Sequence, residues 1–333
     1  MTDAVLQQPA AKRVFVSTAA MQKAVAFAVL VLLLLYFSIF APSFAAWNNM
    51  VNIMQATAVN GVLGVACTFV IISAGIDLSV GTLMTFTAIM SGVFLSFWGF
   101  PMWVGILGAM VSGALMGAVS GTVISKLKIP PFIATLGMMQ VARGLALVIS
   151  DKHPIYFNDT PNYGLISADS SITNIFPNLE IPNGVFVMFG VAIAGSIVLN
   201  RTIFGRYVFA LGSNEEAARL SGMNVIFWKI ATYAFSGFIC GIAGLLISSR
   251  LNSAQPALGM GYELDAIAAT VIGGTSLSGG RGTILGTIIG AFIMSVLTNG
   301  LRVMGVPEEW QIIVTGLIII AAVYVDTLLR KRA

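Results

Sequence analysis

The 333 residues are 57% hydrophobic and 9% charged, with a mean hydropathy of +0.93 and a formal net charge of +4. Soluble domains carry about 25% charged residues, so an ordinary aqueous globule is excluded, and the small positive charge does not indicate a nucleic-acid partner. Apolar runs of about 20 residues recur along the chain, which predicts an all-α, polytopic membrane protein.

The chain opens on a polar segment, 1–23, expected in the cytoplasm. The first apolar run, 24–41, is longer than a signal-peptide core of about 7–15 residues and is followed by more, so it reads as a retained anchor. Further spans are expected at 53–72, 79–98, 102–124, 132–149, 183–199, 229–249, 262–276, 283–301 and 310–328. Together they make ten transmembrane helices in a single transmembrane domain, 24–329, with a short tail at 330–333. With the N-terminus inside, thirteen of the 17 Lys and Arg residues fall in inner segments: Lys12, Arg13, Lys23, Lys126, Lys128, Arg201, Arg206, Arg219, Lys229, Arg281, Arg330, Lys331 and Arg332. Lys152, Arg250 and Arg302 fall outside, and Arg143 lies within a span. This asymmetry predicts both termini in the cytoplasm.

The longest outer loop, 150–182, holds Pro154, Pro161, Pro177 and Pro182 with Asp151, Asp159, Asp169 and Glu180. It reads either as an ordered connector or as a docking surface for an external partner. Its His153, the single histidine of the chain, is expected to be solvated. Cys67 and Cys240 both sit in apolar runs, where they are expected to pack as small residues; two such ligands make no metal site. No Ser/His/Asp set or HExxH motif points to an intramembrane enzyme.

The longest inner loop, 200–228, contains Gly212-Ser-Asn-Glu-Glu-Ala-Ala-Arg-Leu-Ser-Gly-Met223. Ser213 or Asn214 can cap a short helix there, with Glu215 and Glu216 at its positive end. Ala217 and Ala218 favour helix, Arg219 follows, and Gly222 supplies a stop. A helix this short needs support from the membrane domain or from a partner, and Ala217 with Leu220 offers a small apolar strip. The residues alone fit either a solvated, well-capped connector or a docking element.

Glu216-Ala217-Ala218-x-x-x-Gly222 resembles the cytoplasmic EAA loop of ABC importer permeases. Gly75-Ile-Asp-Leu-Ser-Val-Gly81 and the stretch from Arg250 to Phe292 are similar to segments of sugar-importing permeases, nearest to those for ribose and related monosaccharides. The resemblance extends over the length of the chain and the order of its segments. It implies a homodimer of permeases, a separate cytoplasmic two-domain ATPase that binds ATP-Mg, and a periplasmic or extracellular sugar-binding protein. Ser213, Asn214, Glu215, Glu216, Ala217, Ala218, Arg219 and Gly222 would then form the ATPase-coupling helix of a multi-pass bacterial inner-membrane subunit. The chain agrees in lacking any G-x-x-x-x-G-K-[ST] phosphate loop, so no cofactor is expected on it and hydrolysis is expected on another chain.

Gly274-x-x-Leu277-Ser278-x-Gly280 repeats the pattern Gly75-x-x-Leu78-Ser79-x-Gly81, which fits either two related halves or coincidence in a glycine-rich chain. Both motifs are expected at inner turns, where Gly75, Asp77, Ser79, Gly81, Gly274, Ser278, Gly280 and Arg281 could build a gate or touch the ATPase. Asp77 reads equally as a helix cap. Gly113, Gly117 and Gly121, and likewise Gly282, Gly286 and Gly290, line single helix faces and are expected to let helices pack closely.

Ionisable residues in spans are few. Arg143, Glu263 and Asp265 are expected near the outer face or in ion pairs, and Asp326 near the inner end. The neutral polar residues Asn60, Thr135, Gln140 and Asn299 are candidates for a pathway that hydrogen-bonds a hydroxyl-rich solute. The resulting expectation is an ATP-driven, binding-protein-dependent monosaccharide permease working by alternating access. The rival is a stand-alone ion-coupled carrier, which would normally need a carboxylate deep in the membrane.

Overall fold

A computed structural model describes residues 18–176 and 180–331. Lys12, Arg13, Pro177 and Arg332 fall outside these residues, as do the side chains of Asp326, Arg330 and Lys331. The helices run in the order α1 (Thr18–Phe40), α2 (Trp47–Ile72), α3 (Val80–Gly92), α4 (Met102–Lys126), α5 (Pro131–Ile149) and α6 (Asn183–Arg201). They continue as α7 (Ile203–Ser213), α8 (Glu215–Leu220), α9 (Val225–Leu251), α10 (Tyr262–Ile272), α11 (Ile284–Val303) and α12 (Glu308–Lys331). A π-helical turn, Val93–Phe97, lengthens α3. Eight helices among the described residues are long and apolar enough to cross a membrane: α1 to α6, α9 and α11.

The apolar side chains divide into two shells. α2 is buried along most of its length, and α3, α9 and α11 nearly so, whereas α1, α4, α5 and α6 turn Leu, Ile, Val and Phe outward. An apolar exterior is what lipid requires, so burial in this bundle reports on helix–helix contact rather than on hydrophobicity. Glycine sets how closely the helices meet. α4 and α9 run antiparallel, and a Cβ at Gly113 or Gly117 would sit on the carbonyl of Gly237 or Tyr233. At Gly121 a Cβ would lie 2.7 Å from the Ile230 Cα. Gly286 and Gly290 likewise meet the carbonyls of Gly273 and Ala269 where α10 packs on α11, while Gly282 lies against Thr275 and Ile72.

One end of the bundle carries a two-stranded antiparallel sheet, β1 (Ile155–Tyr156) with β2 (Ser253–Ala254). The other carries α8. They are separated by the 27 residues of α9, about 40 Å of helix. The connector 150–182 packs onto the strand end: Phe157 stacks on buried Tyr163 with ring centroids 3.9 Å apart, and the Tyr163 hydroxyl meets Ser248 Oγ at 2.7 Å. Burial pushes the Tyr163 phenol up to about 12, so it stays protonated as a hydrogen-bonding group at neutral pH. His153 and Asp151 are exposed, 4.0 Å apart.

Two spans are interrupted, which hydropathy does not reveal. α2 ends at Ile72, and the chain turns through Ala74 (φ 60°) and re-enters the bundle as an extended segment, 73–79, before α3 begins. From the opposite end, residues 252–261 descend from β2 into the bundle before α10 begins. α10 has only 11 residues, roughly 16 Å, about half of a ~30 Å hydrocarbon core. The expected span 262–276 is therefore a half-helix reached through a run of turns, 256–261. The inner loop 200–228 also holds a helix not foreseen, α7, capped by the Thr202 hydroxyl, which accepts from the Gly205 N–H at 3.3 Å.

Gly117→Leu should lower stability by roughly 1–3 kcal/mol or more, because it overpacks a backbone contact that no side-chain rotation relieves. Gly137 has nothing within 4 Å of its would-be Cβ, so Gly137→Ala should leave stability equal or slightly raised. Thermal melts of the detergent-solubilised protein, followed by size-exclusion chromatography, compare the two.

Candidate coupling and translocation site

The polar helix α8 forms as its local signals require. The Asn214 side chain caps it, accepting from the Ala217 N–H at 2.9 Å. Glu215 and Glu216 occupy the first turn, and Gly222 closes it with φ 84°. The Gly222 N–H donates to the Arg219 carbonyl at 3.0 Å and the Met223 N–H to the Ala218 carbonyl at 3.2 Å, a Schellman termination that needs a left-handed residue at this position. Ser213 is the last residue of α7 rather than the cap. Ala218 is buried, whereas Ala217 is exposed and Leu220 is 78% exposed. Glu216 pairs with Arg219, which raises the guanidinium pKa, and Glu215 pairs with Lys229 at 2.7 Å. The second pair ties α8 to the base of α9.

Immediately before α8, the backbone touches the end of α2 and the second repeated motif. The Gly280 N–H donates to the Ile72 carbonyl at 2.8 Å. Gly212 lies against the same pair, so that a Cβ on it would sit on the Ile72 carbonyl and 2.7 Å from the Gly280 nitrogen. A Cβ on Gly279 would be 2.8 Å from the Gly212 carbonyl and 2.8 Å from the Ala74 Cβ. The end of α2, the turn 273–283 and the end of α7 thus meet at one backbone junction. Gly274, Gly279 and Gly280 take φ of 90°, 81° and 71° there, a region L side chains enter at a cost. The two G-x-x-L-S-x-G motifs nevertheless differ in shape: Gly81 lies within the first turn of α3, while Gly280 is a left-handed loop residue four positions before α11. Ser278 and Arg281 are exposed at this end.

Buried polar side chains serve the first interrupted segment. Leu78 N–H donates to Thr135 Oγ1 at 3.2 Å, and Thr135 Oγ1 lies 3.3 Å from the Ile76 carbonyl, which also accepts from the Tyr233 hydroxyl at 3.4 Å. Asp77 Oδ1 accepts from the Ser79 N–H at 2.9 Å and from the Ser79 hydroxyl, and Asp77 Oδ2 from the Ser236 hydroxyl at 3.4 Å. Asp77 and Ser79 are 2% and 0% exposed, so the carboxylate holds the turn into α3 rather than facing water. A Cβ on Gly75 would meet the Tyr233 hydroxyl.

The second interrupted segment is held in the same way. The Leu258 carbonyl accepts from Thr85 Oγ1 at 2.8 Å, and both Glu263 oxygens lie within 3.2 Å of the Gly261 nitrogen. A Cβ on Gly81 would meet the Gly259 carbonyl and lie 2.7 Å from Glu263 Oε2. Gly92, farther along α3, packs against Ile155 of β1. Glu263 therefore sits roughly 16 Å below the strand level, taking 1.5 Å for each residue between Gly92 and Gly81. This acid lies deeper than the outer-face position expected for it.

A cavity of about 890 Å³ opens beside α10 on the strand side of the bundle. Asn60, Asp265 and Asn299 face it, together with Arg250, Arg302 and Ser295, which sequence reasoning did not single out as pathway residues. Asn49 and Asn299 exchange reciprocal amide hydrogen bonds at 2.9 and 3.0 Å across its rim. Thr135 is elsewhere, at the first interrupted segment, and Gln140 is exposed on α5. Arg143 is half-buried on α5 with no ion pair among the described residues. The described residues contain no cluster of His, Cys, Asp and Glu that could hold a metal, and Cys67 and Cys240 are buried free thiols.

Helices that cross a bilayer, a capped polar helix at one end and interrupted spans around a polar cavity define a membrane transport subunit. Residues 49–323 match the family described as branched-chain amino acid transport system / permease component, and the chain belongs to that family. It is a multi-pass inner-membrane permease component, not an enzyme. The chain is 41% identical over 320 residues to the ribose import permease protein of Escherichia coli (strain K12), covering 96% of this chain and 98% of that one. It is 42% identical over 314 residues to the ribose import permease protein of Bacillus subtilis (strain 168), covering 94% of each. The fructose import permease protein of Rhizobium meliloti is 41% identical over 318 residues, 93% of this chain and 86% of that one.

Gly212→Ala should part the junction at Ile72 and Gly280. Hydrogen–deuterium exchange is expected to rise in peptides covering 273–283 and to stay unchanged in α5; equal protection at 273–283 in both proteins would contradict the junction.

Proposed function

We propose that this chain is the permease subunit of an ATP-driven, binding-protein-dependent importer of a ribose-like monosaccharide. The observation that carries the reading is α8: a six-residue helix, capped at both ends, exposing Leu220 and both carboxylates, and joined through Gly212 to the end of α2 and the turn before α11. A helix of that length does not hold itself together in water; α7 and α9 brace it, and its exposed face suits a cleft on a cytoplasmic ATPase. The relatives named for ribose and fructose supply the solute class. α8 is assigned to the cytoplasmic face by the Lys and Arg distribution, and the strand end to the side where a sugar-binding protein delivers cargo. A second copy of the chain completes the working unit, and ATP with magnesium is assigned to the ATPase.

Mechanistically, closure of the ATPase on nucleotide displaces α8. Gly212 passes the displacement to Ile72 and Gly280 through backbone contacts with no intervening side chain to absorb it. The helices anchored there, α2 and α11, tilt and alternate access to the cavity between the two faces. The sugar crosses unmodified. An isolated ion-coupled carrier fits less well, since Asp77 and Glu263 are each occupied in holding backbone N–H groups of the interrupted segments.

Proteoliposomes containing permease, ATPase and binding protein should accumulate D-ribose, D-fructose or D-xylose only with ATP; gradient-driven uptake by the permease alone would contradict the assignment. Glu216→Lys places a cation beside Arg219 and should weaken ATPase association roughly tenfold without changing the helical content of the permease, as read by co-purification and circular dichroism. Wild-type association would remove α8 from the coupling role.

A further inference from the structure

At the α8 end of the bundle, Arg219 and Lys229 are paired with Glu216 and Glu215. Arg201 and Arg206, at the corner where α6 passes into α7, are not. Neither guanidinium makes an ion pair or a hydrogen bond among the described residues. From Ile181 to Asn214 the chain holds these two cations and no Asp or Glu. α7 packs on α2, α6, α8 and α9, and the only acids on those four helices are Glu215 and Glu216, which are already engaged. The corner therefore carries two positive charges that nothing in the protein neutralises.

The two arginines lie on a face that meets lipid. Phe186, Phe189, Ile193 and Ile197 are exposed along α6 at steps of three and four residues, and Arg201 follows Ile197 by one turn on the same face. From Phe186 to Arg201 the stripe runs roughly 22 Å, so its last turn reaches the level where acyl chains give way to headgroups. Past the corner an apolar residue is again turned outward: Ile203 is 55% exposed, three residues from exposed Arg206, opposite the buried Gly205, Val208 and Leu211. Water does not favour the isoleucine, and hydrocarbon does not favour the guanidinia. A boundary that is apolar on one side and anionic on the other satisfies both. Tyr207 and Trp228, with ring centroids 4.5 Å apart, stand beside this face, and such rings settle at headgroup level.

From this arrangement we infer that the α6–α7 corner binds the phosphodiester headgroup of an anionic glycerophospholipid, with Arg201 and Arg206 on the headgroup and the acyl chains along Ile193 and Ile197. Basic corners at the inner ends of spans are suited to such headgroups. The placement in the cytoplasmic leaflet rests on the orientation proposed above; the site itself depends on neither the solute nor the ATPase. The headgroup sits at the start of α7, whose last turn carries Gly212, so a bound lipid steadies the helix that leads into the coupling junction.

Native mass spectrometry of the full-length permease, mixed with equal amounts of phosphatidylglycerol and phosphatidylcholine of matched acyl chains, reads the site. Phosphatidylglycerol should be retained about tenfold over phosphatidylcholine, the scale of two guanidinium contacts to an anionic lipid. Arg201→Gln with Arg206→Gln should bring the ratio close to one. Lys126→Gln with Lys128→Gln, an equal loss of charge at the exposed turn between α4 and α5, should leave it unchanged. Arg201→Lys with Arg206→Lys should keep part of the preference at unchanged helical content, which separates loss of the site from loss of the fold. Hydrogen–deuterium exchange over 202–212 should be slower in phosphatidylglycerol nanodiscs than in phosphatidylcholine ones while both arginines are present, with 273–283 alike in the two. Equal retention of both lipids by the parent gives the corner to a protein contact and overturns the site. An equal loss of preference in the Lys126 and Lys128 variant overturns it in favour of diffuse attraction by the whole inner face. Displacement of the lipid by inorganic phosphate at the same concentration overturns the lipid as the ligand.

Discussion

A bilayer offers no water to a broken helix, so every backbone group that leaves the helical ladder within the hydrocarbon must find a partner inside the protein. This chain breaks two spans, from opposite ends, at 73–79 and 252–261. Several of its deeply buried polar side chains serve that one requirement. Thr135, Tyr233 and Asp77 serve the first break, while Thr85 and Glu263 serve the second. The breaks also support each other, since Gly81 at the start of α3 packs against Gly259 and Glu263 of the second segment.

Glycine makes this arrangement stiff. Where helix backbones touch, as at Gly117 on Tyr233 or Gly286 on Gly273, no flexible side chain lies between them, and displacement of one element is carried to the next. The junction of Gly212, Ile72 and Gly280 extends the same contact to the base of α8. A push there reaches α2 and α11, whose opposite halves line the cavity. Discontinuous helices around a central site are a recurrent device of transporters, and here the device is built from threonine, glycine and two carboxylates instead of charged pairs.

Hydropathy alone made the long spans legible, because a ~30 Å apolar core leaves little choice for an apolar run of that length. The Asn214 cap and the Gly222 stop were legible too, since both are local and obey rules within a few residues. The dip of 252–261 was not: nothing in its sequence marks this connector as entering the bundle, and the half-helix α10 has the composition of a full span. Thr135 reads as a pathway residue in sequence because its actual partners, Ile76 and Leu78, are more than fifty positions away. Ser295 carries no sequence signal at all, although it lines the cavity.

The account stands on α8 being the lever that moves the cavity-lining helices. Its most direct test is a distance: spin labels at Ser221→Cys, beside α8, and at Met304→Cys, at the far end of α11, measured by pulsed electron resonance in the complex with the ATPase. Nucleotide binding is predicted to shift that distance by more than about 2 Å, the scale above ordinary helix adjustment. An unchanged distribution in a complex that hydrolyses ATP and transports would contradict it.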